Sequence, residues 1–436
     1  MKPYEEYQST EYDWLPFAPA HWKKRYLFQV NDEQRISNKN VHHQNLLSLS
    51  YGNIKRKDIN STKGLLPESF DTYQVVYDGN IILRLTDLQN DHKSLRVGLV
   101  TQTGIITSAY TCLKPKNVSS KFIYYILHSF DLRKVFYGMG GGLRQSIGFK
   151  ELRYLQLHIP SRTEQEQIIK FLDNKISKIN KFINDKKREI ELLKEQIEYL
   201  CFFGENDIPV VRSWDSAFAK SWKKIKAKHL FQEINIKNRP EEELLAVTQD
   251  RGVVLKKDCT QNYVSPSGRL DGLKFVKKGD FVISLRSFQG GIEFSKYQGI
   301  VSPAYNVFCL KPLFTSDKLN TYYRFLFKTR PFIELLKSLG GGIRDGKNIS
   351  FSDFSQFYMP IPSDEQLSVI LKISDRVDVL RKQYIRMLNV INEYKASLIS
   401  EAVTGKVDVR EVRVSEDFEL VTNLDVEVEE ETTEEL

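Results

Sequence analysis

The chain has 436 residues, of which 41% are hydrophobic and 12% aromatic, and its formal net charge is +8. This composition excludes an intrinsically disordered chain and predicts a globular protein of about two to four domains. Residues 414–436 hold ten acidic and no basic residues, so the rest of the chain carries a formal charge of +18. A body this basic favours a polyanionic partner, most simply nucleic acid, although a basic protein without such a partner has the same count.

Signals for export and for metal binding are missing from the sequence. The N-terminus, Met1-Lys-Pro-Tyr-Glu-Glu, lacks the apolar region of a signal peptide, and no apolar run approaches the ~18 residues of a membrane span. The four cysteines are scattered, without the Cys-x-x-Cys spacing of a zinc site. We therefore expect a cytoplasmic protein with reduced thiols and no membrane partner.

The sequence consists of two similar halves that follow each other. Matched pairs are Trp14 with Trp214, Trp22 with Trp222, Gly79 with Gly279, Tyr110 with Tyr305, Pro115 with Pro312 and Arg144 with Arg344. In each half a Gly-Gly-Gly-x-Arg motif precedes an Ile-Pro-Ser stop and then a long helix. Because duplicated units usually pack with pseudo-twofold symmetry, we predict a tandem pseudo-twofold repeat.

The body of each half reads as short strands followed by one amphipathic helix. In the first half the predicted elements are strands at Leu46–Ser50, Gln74–Tyr77, Ile81–Leu85 and Gly98–Val100, then a helix at Ser119–Phe136. The second half repeats the helix at Ser316–Lys337. These patterns predict an α+β fold for each globular domain.

A long helix with a heptad pattern follows each body. The apolar line of the first is Leu172, Ile176, Ile179, Ile183, Lys186, Ile190, Leu193, Ile197 and Leu200, and that of the second is Ile370, Ile373, Val377, Leu380, Tyr384, Met387, Ile391, Tyr394 and Leu398. Alternating spacings of three and four favour an antiparallel coiled coil, each line running roughly 40–50 Å. The alternative is two ordinary amphipathic helices, each packed on its own domain.

Lys186 and Tyr384 occupy the central positions of the two lines. Antiparallel pairing would bring them together, and we hypothesise that this polar pair fixes the register at some cost in stability.

These patterns divide the chain into five segments. They are an N-terminal globular domain at 1–163, a first long helix at 164–203, a C-terminal globular domain at 204–363, a second long helix at 364–403 and a C-terminal extension at 404–436. The acidic part of the extension has no core pattern, which predicts either disorder or a docking segment.

Catalytic signals are weak. Gly341-Gly-Ile-Arg-Asp-Gly-Lys-Asn348 resembles a phosphate-binding loop, but Asn348 replaces the Ser or Thr that holds magnesium. No histidine recurs at an equivalent position of the repeat, which argues against a duplicated metal or acid–base site. We therefore predict a chain without catalytic residues or a metal, which binds its target and does not modify it.

Cationic and polar side chains at equivalent loops are the candidate nucleic-acid contacts. They are Arg144, Arg344, Arg286, Arg251, Tyr51, Lys55, Arg56, Lys256 and Gln289. A guanidinium beside a glycine-rich backbone can approach DNA closely and take either a phosphate or the O6/N7 edge of guanine. Each such arginine can equally be a solvated surface charge or part of a structural ion pair, and each glycine run can simply be a loop without a ligand.

Several of these motifs together resemble the specificity (S) subunit of type I restriction–modification systems. They are Arg286-Ser-Phe-Gln-Gly-Gly291, Gly299-Ile-Val-Ser-Pro-Ala-Tyr305, Gly341-Gly-Ile-Arg344, Pro360-Ile-Pro-Ser-Asp-Glu-Gln366 and Ala402-Val-Thr-Gly-Lys-Val-Asp-Val-Arg410. Together with the duplicated Trp14/Trp22 entry, they extend the resemblance over nearly the whole chain, roughly residues 10–410. The first long helix departs from the pattern because it ends in Tyr199-Leu-Cys-Phe-Phe-Gly204 and not in a second Ala-Val-Thr-Gly.

The resemblance implies a non-catalytic subunit that reads a bipartite DNA target, one half-site per domain. It also implies two methyltransferase (M) subunits as partners and, in a restricting complex, restriction (R) subunits. S-adenosylmethionine, ATP and magnesium are expected on those partners and no cofactor on this chain. A coiled-coil scaffold that binds only proteins and a self-sufficient DNA-modifying enzyme remain alternatives; the first leaves the +18 charge unexplained, and the second lacks a catalytic motif.

Overall fold

The computed structural model describes residues 2–12, 14–60, 67, 69–89, 95–139, 146–202, 222–249, 252–258, 270–285, 287–339 and 349–415. The chain divides into two compact units. The first unit contains Met1–Asp185 and Met387–Glu427, and the second contains Lys186–Arg386 and Val428–Leu436. Each unit therefore includes one half of each long helix.

The elements before the first long helix are short. The strands are β1 (Tyr7–Tyr12), β2 (Leu15–Pro19), β3 (Lys23–Tyr26), β4 (Asn31–Gln34), β5 (Leu47–Ser50), β6 (Asn53–Arg56), β7 (Gln74–Val76), β8 (Ile81–Leu83), β9 (Val97–Leu99), β10 (Gly104–Ile106), β11 (Thr111–Pro115) and β12 (Gln156–Ile159). The helices are α1 (Leu27–Val30), α2 (Ser120–Leu132), α3 (Phe149–Leu152) and the long α4 (Arg162–Leu200). The four strands predicted from the sequence correspond to β5, β7, β8 and β9, which confirms them to within two residues.

The remaining elements follow a similar order. The strands are β13 (Lys223–Lys226), β14 (Phe231–Ile234), β15 (Leu245–Thr248), β16 (Gly252–Leu255), β17 (Lys274–Val276), β18 (Phe281–Ile283), β19 (Glu293–Phe294), β20 (Gly299–Val301), β21 (Asn306–Leu310) and β22 (Tyr358–Ile361). The helices are α5 (Ala227–Leu230), α6 (Ser287–Gly290), α7 (Asp317–Leu326), α8 (Arg330–Leu339), α9 (Phe351–Phe354) and the long α10 (Asp364–Val403). Among the described residues, no helix combines the length and the apolar content that a membrane span needs.

A four-stranded antiparallel sheet lies in each unit. Its order is β4-β11-β8-β9 in the first and β14-β21-β18-β19 in the second. The central strands are apolar on both faces, as in Ile81-Ile82-Leu83 and Phe281-Val282-Ile283, and all six of these side chains are buried. Strands buried on both sides need cover on both sides, and α2 packs against the first sheet. Mixed helices and antiparallel sheets confirm the predicted α+β class.

The predicted helix at Ser316–Lys337 is wrong in one respect, because the structure has two helices there. Helix α7 ends at Leu326, and α8 begins at Arg330. Pro331 has no backbone N–H and cannot donate the hydrogen bond that would continue α7. It therefore lies in the first turn of a new helix, α8. The Thr329 hydroxyl also donates to the Leu326 carbonyl at 2.7 Å and satisfies the end of α7.

The start of α4 is fixed to the first unit by a buried carboxylate. Glu164 accepts hydrogen bonds from the Tyr4 hydroxyl at 2.7 Å and the Trp22 indole N–H at 3.0 Å, and the His21 Nε2 lies 3.0 Å from its other oxygen. Further along the helix, Asp173 binds Lys121 Nζ at 2.7 Å and the Tyr125 hydroxyl at 2.6 Å. The pKa of Asp173 is raised, chiefly by burial. These bonds join the long helix to α2 and to the N-terminal strands.

Apolar positions of both long helices enter the core of the first unit. Leu172 and Ile176 of α4 belong to the same buried cluster as Leu398 and Ile399 of α10. In the second unit, Gln366 at the start of α10 donates to the Leu200 carbonyl at 3.0 Å, and Arg376 lies 3.7 Å from Glu189. Within each unit, therefore, an N-terminal half of one helix contacts a C-terminal half of the other.

Most positions of the two predicted apolar lines are buried or half-buried. The buried positions are Leu172, Ile176, Ile183, Ile190, Ile197, Leu200, Ile370, Val377, Tyr384 and Leu398, and the half-buried ones are Ile179, Lys186, Leu193, Ile373, Leu380, Met387 and Ile391. Tyr394 is a wrong assignment, since it is 51% exposed, while Lys395 is buried and its Nζ lies 3.3 Å from Asn180 Oδ1. A helix of 3.6 residues per turn drifts by ~20° per heptad, which moves the buried line by one residue here. Lys186 pairs with Glu189 of its own helix at 2.9 Å, and its pairing with Tyr384 stays a prediction.

Gly104 and Gly299 sit at equivalent close approaches of two backbones. A Cβ at Gly104 would lie 2.5 Å from the Asn45 carbonyl oxygen, and one at Gly299 would lie 2.2 Å from that of Glu243. Gly104→Ala should therefore lower the free energy of unfolding by ~1–3 kcal/mol, because backbone atoms must move. Gly138→Ala, whose Cβ meets nothing within 4 Å, is the matched control in the same unit. Denaturant unfolding measures both, and equal stabilities would contradict the close approach.

A second prediction concerns Asp280, which is buried in the turn between β17 and β18. Burial raises the pKa of its carboxyl from 3.8 to about 6. Stability is then lost as pH rises from 3.8 through 6, because the folded state holds the proton more tightly than the unfolded state. Asp280 Oδ2 accepts from the Lys277 N–H at 2.7 Å, as Asn80 Oδ1 does from the Tyr77 N–H at 2.8 Å in the first unit.

Asp280→Asn should therefore raise the free energy of unfolding at pH 7.5 by up to ~3 kcal/mol, with a higher melting temperature, and change both little at pH 4. Asn80→Asp is the reciprocal control and should destabilise the first unit at pH 7.5 only. Thermal unfolding at both pH values decides, and a pH-independent effect of Asp280→Asn would contradict the assignment.

Candidate nucleic-acid interface

The hairpin β5–β6 of the first unit presents Tyr51 at its tip. The two residues between Ser50 and Asn53 are Tyr51 and Gly52, with φ of 45° and 77°. This is the loop that matches the twist of the strands, and it requires a left-handed conformation at both positions. For a tyrosine that conformation costs on the order of 1–3 kcal/mol. The side chain is nevertheless 59% exposed, so the tip presents a ring and a hydroxyl to solvent at a fixed place.

Lys55 and Arg56 lie on β6, further from that tip. Arg56 is exposed and pairs in register with Leu47, at the opposite end of the hairpin from Tyr51. Lys55 is half-buried. The structure therefore places the three predicted residues on one hairpin without bringing them to one point.

A loop after β8, residues 84–89, is held by a buried arginine that the sequence analysis did not single out. Arg96 is fully buried, and its guanidinium donates to the carbonyls of Arg84 at 3.1 Å and Thr86 at 2.9 Å. Its backbone N–H donates to Asp131 of α2 at 2.5 Å. Buried charges must be hydrogen-bonded, so the carbonyls of this loop are fixed in the geometry that the guanidinium requires.

In the second unit, Lys328 performs the same task for α6, the counterpart of that loop. Its ammonium group donates to the Gln249 carbonyl at 2.9 Å, the Gly290 carbonyl at 2.9 Å and the buried Glu293 carboxylate at 2.5 Å. One cation therefore joins the residue that follows β15 to the end of α6. The chemical type of the cation differs between the units, and in both it binds loop carbonyls.

The result of this clamp is a pair of adjacent glutamines. Gln249 Nε2 donates to Gln289 Oε1 at 3.4 Å, and the side chain of Gln289 is exposed. A glutamine amide can pair with the N6/N7 edge of adenine in a bidentate fashion. Gln289 was predicted as a contact, whereas Gln249 was missed because only the fold brings it beside Gln289. Lys256 lies half-buried at the end of β16, where its N–H donates to the Leu244 carbonyl at 2.9 Å.

Beside Gln249 the second unit has a cavity of about 400 Å³. Its lining includes Lys328, Arg324 and Arg381, together with Glu198 of α4. The Arg324 guanidinium lies over the rings of Phe294 and Phe325 at 5.8 and 5.4 Å and 3.6 Å from Asp378. The cavity wall thus runs from Gln249 to both long-helix segments of this unit.

Four predicted contacts, Arg144, Arg344, Arg286 and Arg251, lie outside the described residues, as do the glycine runs before Arg144 and Arg344. The phosphate-loop resemblance at residues 341–348 also lies outside them. These four contacts and the loop therefore stay predictions.

Three of the four cysteines lie in the described part of the chain. Burial raises the pKa of Cys112 to about 12 and also raises the pKa values of Cys201 and Cys309. These three thiols are therefore protonated at neutral pH and poor nucleophiles. Within the described ranges no group of three or more His, Cys, Asp or Glu side chains is placed to hold a metal ion.

Gln289→Ala should weaken discrimination at one base of a DNA target by ~10- to 100-fold, because a bidentate base contact is worth ~1–3 kcal/mol. The matched control is Gln298→Ala, an exposed glutamine of the same unit that bonds to Glu242. Selection of bound duplexes from a randomised pool measures the preference. An unchanged preference in Gln289→Ala, or an equal change in the control, would contradict the assignment.

Comparisons with known proteins agree with this interpretation. Residues 34–192 match the sequence model of the type I restriction modification DNA specificity domain. A search of curated proteins found no match. A solved structure described as "Structural basis underlying complex assembly and conformational transition of the type I R-M system" is similar with a TM-score of 0.56 and 12% identity, over 89% of this chain and 99% of that one.

Two further solved structures resemble the chain more weakly. The HsdS subunit from Thermoanaerobacter tengcongensis has a TM-score of 0.41 and 14% identity, over 92% of this chain and 100% of that one. The S subunit of the type I system of M. genitalium has a TM-score of 0.39 and 13% identity, over 87% and 96%. The resemblance predicted from the motifs is confirmed over residues 34–192, which match the family model of the type I restriction modification DNA specificity domain.

Proposed function

We propose that the chain is the DNA sequence-recognition subunit of a type I restriction–modification complex and reads a bipartite target, one half-site per unit. The proposal rests on one observation, which is that the two units are built from the same kinds of elements in the same arrangement. Each has the same sheet order, a hairpin and a loop clamped by a cation, as described for Arg96 and Lys328. The side chains that these elements present differ between the units. Tyr51 lies at the hairpin tip of the first unit, whereas Gln249 lies beside Gln289 in the second unit.

Two units with similar supporting elements and different exposed side chains are suited to reading two different DNA sequences. Contacts to phosphate position a protein on DNA, while side chains that reach base edges specify the sequence. A single base contact discriminates by only ~1–3 kcal/mol. Two readers on one chain multiply their separate discriminations through effective concentration.

The two long helices are the proposed spacer, an antiparallel coiled coil between pseudo-twofold recognition domains. Support comes from contacts inside each unit: Asn180 with Lys395 in the first, and Glu189 with Arg376 in the second. A buried apolar line of roughly 40–50 Å is comparable to one turn of DNA, ~34–36 Å. Helix length would then set the gap between half-sites.

Partners and cofactors follow from the family. Two methyltransferase subunits are the proposed partners, with restriction subunits in a restricting complex. The similar solved structure supports this proposal, because it concerns complex assembly of a type I R-M system. S-adenosylmethionine, ATP and magnesium would be bound by those partners. The specificity-domain match gives no support to a protein-only scaffold or to a self-sufficient enzyme.

A binding assay tests the function directly. With methyltransferase subunits present, the chain should retain a duplex that carries both half-sites at salt concentrations that release duplexes with one half-site scrambled. Equal retention of all duplexes, or no retention at any salt concentration, would support the scaffold alternative.

Deletion of one heptad from both helices tests the spacer. Removing residues 180–186 together with 384–390 should shorten the tolerated gap between half-sites and leave both half-sites unchanged, because seven helical residues span ~10 Å, or about three base pairs. Deletion from α4 alone is the control and should impair binding, since it misaligns the two apolar lines. An unchanged gap in the paired deletion would contradict a helical spacer.

A further inference from the structure

The end of the described chain runs alongside α4. Gln167 Nε2 donates to the carbonyls of Val409 at 2.9 Å and Val412 at 2.8 Å, and Asn174 Nδ2 donates to the Ser415 hydroxyl at 2.9 Å. From Gln167 to Asn174 the helix advances by ~10 Å. Three extended residues, from Val412 to Ser415, cover about the same distance. The stretch from Val412 to Ser415 is therefore extended and runs towards the C-terminal end of α4.

A row of lysines lies on the same face of the helix, one beside this stretch and two ahead of it. Lys170, Lys178 and Lys181 are three, eleven and fourteen positions after Gln167, so they share the face that holds Gln167 and Asn174. We call these three residues the lysine stripe. Lys178 and Lys181 are exposed. No acidic residue occurs between Asn174 and Asn184, so this stretch of α4 is purely basic.

The residues that follow Ser415 have the opposite charge. Residues 416–436 lie outside the described residues, and their sequence contains Glu416, Asp417 and Glu419 at the beginning, with no Lys or Arg throughout. An extended chain that continued in the same direction would reach the level of Lys178 after about two residues and that of Lys181 after about three. In sequence, the first carboxylates therefore follow Ser415 at intervals that match the spacing of Lys178 and Lys181 on the helix.

We propose that this acidic segment docks on the lysine stripe and keeps polyanions, nucleic acid above all, away from that face of α4. The docking itself needs only the charges and the path of the chain, while its effect on DNA rests on the proposed function. Each exposed ion pair is weak and screened by salt, so the row acts as a set and most strongly at low ionic strength. Removing it frees the two exposed lysines for phosphate contacts.

Zero-length carbodiimide crosslinking of the full chain, followed by peptide mass spectrometry, tests the docking without DNA. Crosslinks should join Lys170, Lys178 or Lys181 to Glu416, Asp417 or Glu419 at low salt, about 20 mM, and fade at about 500 mM, because the screening length shortens as salt rises. Crosslinks from the stripe only to other carboxylates, or none from it, would overturn the proposal.

A charge-matched pair of variants tests the effect on DNA. One carries Glu416→Gln, Asp417→Asn and Glu419→Gln, and the control carries Glu430→Gln, Glu431→Gln and Glu434→Gln, so both lose three negative charges. The first should bind non-specific DNA with a salt slope steeper by ~1.8, because each lysine–phosphate contact contributes ~0.9. Equal slopes in the two variants would overturn the competition with DNA.

The two results separate this inference from the proposed function. Stripe crosslinks in a chain that fails to recognise any bipartite duplex would leave the docking intact and overturn the recognition role. Normal recognition of a bipartite duplex without stripe crosslinks would overturn the docking alone.

Discussion

In the first unit the fold depends on burial of one line of each long helix in the same core as the globular part. In the first unit Leu172 and Ile176 of α4 are packed with Phe122 and Ile126 of α2 and with Leu398 of α10. Fully burying such a side chain is worth roughly 1.5–3 kcal/mol. The hydrogen bonds of Glu164 and Asp173 fix the orientation of the helix in that core, because a buried carboxylate without its donors would be costly. Each helix segment is thus part of its unit and not an appendage to it.

Rigid support of this kind is suited to DNA sequence recognition, because contacts with base edges depend on where each side chain is held. The buried Arg96 and the partly buried Lys328 hold loop carbonyls at hydrogen-bonding distance, so the loops need no large core of their own. They leave exposed side chains such as Tyr51 and Gln289 in defined places. Side chains held beforehand lose less conformational entropy when they bind.

The sequence was informative wherever a repeated pattern reported a repeated constraint. The pairing of Gly79 with Gly279 reflects a left-handed backbone conformation at both positions, with φ of 83° and 96°. Heptad spacing found most of the buried positions of α4 and α10, because burial follows the period of the helix. It failed at Tyr394, where the drift of a real helix moved the buried position to Lys395. The helix break before Pro331 was also missed, although proline is itself a local signal. By contrast, Arg96 and Lys328 look like any other basic residues in the sequence, and contacts between distant segments, such as Gln249 with Gln289, have no local signature.

Two sequence readers held at a fixed separation on one chain should leave a distinctive pattern of modified DNA. Methylome sequencing of cells that contain this chain and the proposed methyltransferase partner is the most direct measurement of that pattern. We expect a modified motif made of two defined words with an unspecified gap of constant length. A motif that is one uninterrupted word, or a gap that varies freely from site to site, would contradict the fixed pair of readers.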